Sequence, residues 1–115
     1  MPNKLLSEKS FKFAKQIIKL NKYLIGKNEK IISKQILRSG TSIGANIAEG
    51  EFAQSRKDLI SKYYIALKEA SETRYWLKLL EVDYIEKEKL LSLSENIEEL
   101  IKLLVTSIKK LKEKI

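Results

Sequence analysis

The chain has 115 residues, 43% hydrophobic and 33% charged, with 23 Lys and Arg against 15 Asp and Glu, for a formal net charge of +8. That length builds one domain with a real core, spanning residues 1–115, and not two. The sequence contains no cysteine and no histidine, which excludes disulfides, thiolate metal sites, zinc centres and His-based triads, and no metal or cofactor is implied.

One Pro and four Gly belong to a helical composition. The first residues, Met1 to Ser7, hold no apolar run long enough for a signal peptide or a membrane span, so a cytoplasmic protein without a membrane partner is expected. The first helix is predicted from about Ser7 to Leu24. Its apolar set is Phe11, Phe13, Ala14, Ile17, Ile18, Leu20, Leu24 and Ile25, about half the circumference at 100° per residue. Gly26-Lys27-Asn28 reads as its stop, with Gly26 in the left-handed position.

The second helix begins near Glu29 or Lys30 and carries Ile32, Ile36, Ser39, Ile43, Ile47 and Gly50 in steps of three and four. Its segment Leu37–Gly50 (LRSGTSIGANIAEG) holds three of the four glycines and several other small residues. Gly40 and Gly44 each cost about 1 kcal/mol of helix propensity against Ala, a cost that fits a close approach by another backbone. The unbroken isoleucine period argues against a break at Gly40.

Gly50 to Gln54 forms the next turn, and Ser55 with Asp58 resembles a capping box. The third helix then runs to about Val82, with Leu59, Tyr63, Ala66, Leu67, Ala70, Leu77 and Leu80 inward. Asp83-Tyr84 turns the chain. The fourth helix spans about Glu86 to Lys112, or starts near Ser92 or Ser94, with Ile97, Ile101, Leu104, Ile108, Leu111 and Ile115 inward. Its acids gather early and its lysines late, which suits the helix dipole. Four such helices joined by short turns predict an all-α, antiparallel up-down-up-down four-helix bundle.

Four groups of residues carry possible chemistry. Folding the second and third helices back around their turn places Arg38 opposite Glu69, with Glu72 one turn on. Such a cluster fastens two helices or orients a ligand; as a bridge it sets register more than it adds stability. Asn46, beside Glu49, sits at the edge of a buried face and needs a partner, since a buried orphan amide costs roughly 1–3 kcal/mol. Groups around Lys62 or Tyr63, or a neighbouring subunit, are the expected partners. Among Tyr63, Tyr64, Tyr75, Trp76 and Tyr84, at most one of each adjacent pair points into the core. The others suit subunit packing, or stacking on bases.

The fourth group is basic. Residues 1–48 hold 10 basic and 2 acidic residues, whereas the remainder is balanced. Lys12, Lys15, Lys19 and Lys22 fall within about 80° on the helical wheel and span about 15 Å of axis. Lys27, Lys30, Lys34 and Arg38 extend the unbalanced region. A solvated face is one reading of these lysines; contact with nucleic-acid phosphates, without base reading, is the other. No nucleophile, acid/base pair or phosphate loop can be assembled, so no catalytic residue is named and an enzyme is not expected.

The run Leu37–Gly50, followed by Ala66–Leu77 (ALKEASETRYWL), closely resembles the four-helix-bundle family encoded in intervening sequences of bacterial 23S rRNA genes, over essentially the whole chain. The resemblance implies a ring-like homopentamer. Relatives of that family include the accessory variability determinant of diversity-generating retroelements, a basic pentamer that associates with reverse transcriptase and nucleic acid. Arg38, Ser42, Asn46 and Glu49 match the family pattern on the second helix, and Glu69, Ser71, Glu72 and Trp76 on the third. The resemblance implies structural or interface roles for them and carries no catalytic residue. The function expected is a non-enzymatic homo-oligomer that binds RNA, or DNA, through Lys12, Lys15, Lys19, Lys22, Lys27, Lys30 and Lys34. The alternative is a scaffold whose basic face binds an acidic protein, such as a polymerase, in a ribonucleoprotein or retroelement.

Overall fold

Ridges of Leu and Ile at three- and four-residue spacing need a partner face, and each helix finds two. The computed structural model describes residues 3–83 and 87–114. Among these are four helices and no strand: α1 (Lys4–Gly26), α2 (Ile31–Gly50), α3 (Arg56–Asp83) and α4 (Lys87–Glu113). The turn expected after Asp83, with Tyr84 and Glu86, and Ile115 at the end of the last stripe, lie outside the described residues. Each helix packs on its two neighbours and the diagonal pairs do not approach, giving a square bundle 47 × 20 × 19 Å.

Cross-helix pairs fix the direction of every seam. Gly44 faces Ser10, Arg38 reaches Glu69, Arg74 reaches Glu98 and Lys9 reaches Glu99. Further along each seam, numbers rise on one helix as they fall on the other: Gly40 with Ile17, Glu49 with Lys62, Glu81 with Ser94, Gln16 with Ser92. All four seams are therefore antiparallel.

Local chemistry sets the ends. Asn3 caps α1 by accepting from the Leu6 N–H at 3.0 Å. At α2 the carboxylate of Glu29, one residue before the N-cap Lys30, accepts from the Ile32 N–H at 2.6 Å, and at α3 Ser55 Oγ accepts from the Asp58 N–H at 3.1 Å. The α1 stop differs from expectation at one residue. Gly26 closes the helix with an ordinary φ, and Asn28 takes the left-handed conformation at φ 66, which its short amide side chain tolerates better than most.

The core runs the length of the bundle through Phe13, Ile17, Ile36, Ile43, Tyr63, Leu77, Leu90, Ile97 and Leu104, among others. The half-circumference stripe expected of α1 is split by the packing. Phe13, Ile17, Leu20 and Leu24 are buried, whereas Phe11, Ile18 and Ile25 stay exposed. Leu67, Ile101 and Leu111 pack only at the edge of the core.

The two mid-helix glycines of α2 have different jobs. A Cβ on Gly40 would stand 2.8 Å from Cγ1 of the buried Ile17, whereas one on Gly44 would reach only 3.4 Å from Ser10 Oγ. Overpacking costs about 1–3 kcal/mol against a propensity gain of about 1 kcal/mol. Gly40→Ala is therefore expected to lower the denaturation midpoint and Gly44→Ala to raise it, read by chemical unfolding of each variant. Equal effects of the two would overturn the close-approach account of Gly40.

Candidate nucleic-acid interface

The seam between α1 and α4 is the most sparsely packed of the four, and its outer contacts are polar. Asn3 Nδ2 donates to Ser107 Oγ at 3.1 Å and Lys9 pairs with Glu99 at 3.0 Å. Gln16 Nε2 donates to Ser92 Oγ at 3.1 Å, and Asn96 Nδ2 donates to Gln16 Oε1 at 2.8 Å. Lys89 reaches the Tyr23 hydroxyl at 3.3 Å. These polar side chains bridge the seam and leave a groove along it.

That groove, about 410 Å³, is lined by Lys9, Lys12, Lys15, Gln16, Lys19, Asn96, Glu99 and Leu100. Lys9 spends its charge on Glu99, and Glu98 on the same helix pairs with Arg74 at 3.1 Å. Among the described residues, no ion pair engages Lys12, Lys15 or Lys19. The structure thus brings three of the seven expected lysines to one place. Lys22 is exposed on α1 beyond the groove; Lys27 lies over the Tyr23 ring, 5.7 Å from its centroid. Lys30 is the residue before α2 and Lys34 is exposed on its first turns; neither lines the groove. Gln16 and Asn96 are groove residues that the sequence did not suggest. Their partnership depends on how the two ends of the chain meet.

The α2–α3 seam carries the other group. Arg38 Nη1 donates to Glu69 Oε2 at 2.9 Å and Nη2 to Glu72 Oε2 at 2.6 Å, while Trp76 Nε1 donates to the same Glu72 oxygen at 3.0 Å. Glu49 pairs with Lys62 at 3.0 Å. Beneath them, Thr73 and Ser39 form a buried hydroxyl pair at 2.8 Å. Asn46 differs from expectation: its Nδ2 donates to the Ser42 carbonyl at 2.8 Å, one turn back in its own helix, and Ser42 Oγ in turn donates to the Arg38 carbonyl at 2.6 Å. Asn46 is only half-buried, so a partner on its own helix suffices and Lys62 is left to Glu49. Tyr63 is the buried member of its pair and Tyr64 the exposed one; Trp76 is half-buried beside the exposed Tyr75.

Hydrogen bonds from Arg38 and then from Trp76 hold the Glu72 carboxyl below its ordinary range, against a smaller opposing effect of burial. A depressed folded pKa gives stability that is present above the unfolded value and lost as pH falls through the folded one. Glu72→Gln is expected to be less stable than the parent at neutral pH and to lose less on acidification, so the two unfolding midpoints converge at low pH. Parallel midpoint–pH curves would overturn this.

One surface among the described residues is an uncovered apolar groove. This groove, of about 620 Å³ between α1 and α2, is lined by Phe11, Ala14, Ile18, Gly44, Ala45 and Ala48 among others, and Phe11 is 66% exposed. On α3, diagonal to α1, Tyr64, Ile65 and Tyr75 are exposed as well. No helix among the described residues is long and apolar enough to cross a membrane.

Residues 4–106 match the family model of the 23S rRNA-intervening sequence protein, and the chain belongs to that family. It is also similar to a crystal structure, at 1.70 Å resolution, of a protein of unknown function from the S23 ribosomal protein family of Bacteroides thetaiotaomicron. The two are 53% identical with a TM-score of 0.88, over 90% of this chain and 98% of that one. No curated protein matches the chain.

Proposed function

We propose that this member of the 23S rRNA-intervening sequence protein family is a non-enzymatic homo-oligomer that binds nucleic acid, RNA before DNA, through its basic N-terminal half and chiefly at phosphates. The observation that carries the reading is the α1–α4 groove, where Lys12, Lys15 and Lys19 stand together without acidic partners among the described residues. Lysines that serve only solubility are usually interspersed with acids; here Glu99 and Glu98 of α4 are engaged by Lys9 and Arg74, and no acid lies within ion-pair distance of Lys12, Lys15 or Lys19 among the described residues. Lys22, Lys27, Lys30 and Lys34 would extend the contact beyond the groove.

Self-association rests on the apolar α1–α2 groove and on the exposed Tyr64, Ile65 and Tyr75 of α3. Exposed apolar patches mark interaction sites, and the α1–α2 groove and the outer face of α3 are different surfaces of one molecule. A contact between the groove of one copy and the α3 face of the next is head-to-tail, and such contacts close into rings when the rotation permits. A ring built this way leaves the α1–α4 seam uncovered, and the homopentamer implied by the family resemblance is of this kind.

A mobility-shift titration across salt tests the binding. Affinity that falls steeply with salt and changes little with sequence supports it, and no affinity for RNA or DNA at low salt overturns it. In that second case the same lysines would suit an acidic protein partner instead. Mass measurement in solution tests the assembly, and a monomer at micromolar concentration would overturn it.

A further inference from the structure

We propose that the α1–α4 groove distinguishes RNA from DNA by hydrogen bonding the ribose 2′-hydroxyl through Asn96, an inference that rests on the nucleic-acid reading above. Lysines alone cannot make the distinction, because both polymers carry the same phosphates. What separates them at a given site is the 2′-hydroxyl, which both donates and accepts. The groove places an amide where such a group would lie. Lys12, Lys15 and Lys19 form the α1 wall over about 10 Å of helix axis, and Asn96 stands on the α4 wall facing them. A strand laid with its phosphates along the lysines and its sugar edge toward α4 would bring a 2′-hydroxyl to Asn96.

The amide is held in place for this. Its contact with Gln16, at 2.8 Å, continues to Ser92 at 3.1 Å, so one edge of Asn96 is occupied. Among the described residues, the other edge has no protein partner. With its Nδ2 turned to Gln16, Asn96 leaves its carbonyl as the remaining edge, which accepts from a 2′-hydroxyl and finds no donor on a deoxy or 2′-O-methyl sugar. Asn96 therefore acts as a specificity-determining residue, and the lysines supply the affinity.

Binding of a short oligouridylate is compared with its 2′-deoxy and 2′-O-methyl counterparts, for the parent and for Asn96→Leu, across a range of salt. The parent is expected to favour RNA by about three- to tenfold, the worth of one neutral hydrogen bond. Asn96→Leu is expected to lose that preference while keeping the parent's salt slope. On the parent, 2′-O-methylation keeps the charge but removes the donor and adds bulk, and is expected to reduce binding to the DNA level. This comparison needs no variant, so it stands if Asn96→Leu does not fold. Equal binding of RNA and DNA by the parent, retention of the preference in Asn96→Leu, or RNA-like binding of the 2′-O-methyl oligomer would each overturn the inference and leave the phosphate reading intact. No binding of any oligomer at low salt would overturn both.

Discussion

The triple variant K12Q/K15Q/K19Q is expected to bind RNA about a hundredfold more weakly than the parent at 0.1 M salt. Each phosphate contact contributes a slope of about 0.7 to 0.9 in log affinity against log salt, so three contacts are worth about two log units or more between 1 M and 0.1 M. The variant's slope should accordingly be shallower by about 2 to 3. The fold should not suffer, because all three side chains are exposed and without ion pairs among the described residues. Lys9→Gln is the internal control. It removes one formal charge beside the same groove, but a charge already committed to Glu99, so its effect on the slope should be much smaller. Equal losses from Lys9 and from its neighbours would mean that net charge, not the groove, sets the affinity.

The double variant A45E/A48E is expected to convert the assembly to monomers with little change in the stability of the bundle. Both alanines are exposed in the single chain, where surface substitutions usually change stability by no more than about 0.5 kcal/mol. Covered by a second copy, each new carboxylate would be stripped of water, beside the Glu8 and Glu51 that already line the groove. That costs several kcal/mol per ion, of order 3, or about two orders of magnitude in each contact. Sedimentation or light scattering of parent and variant reads the result directly. An unchanged assembly would place the contact elsewhere. Tyr75→Glu, on the α3 face, should have the same effect if the contact is head-to-tail, since the two surfaces then meet each other.

The legibility of the sequence followed the distance between partners along the chain. Arg38 could be placed opposite Glu69 and Glu72 because one short turn joins their helices, so counting outward from it gives the register. The structure shows Arg38 on both carboxylates. Asn46 could not be resolved in the same way. Its wheel position lies at the edge of the buried face, where a rotation of a few tens of degrees decides between a cross-helix partner and the carbonyl of Ser42. The groove was harder still. Gln16 and Asn96 are 80 positions apart, and their meeting depends on three successive hairpin registers and on the bundle closing as a square.

Periodicity, punctuation and composition alone determined four amphipathic helices, their alternating direction, the fastening of α2 to α3, and a basic half in a chain without cysteine or histidine. These are properties of local spacing, and local spacing is what a sequence displays. Tertiary structure decided how much of each apolar stripe is covered. The α1 stripe is wider than the core covers, so Phe13 and Ile17 went inward and Phe11 and Ile18 remained outside. It also decided which lysines share a groove, because an exposed side chain has no burial signal of its own and acquires neighbours only when helices from opposite ends of the chain pack together.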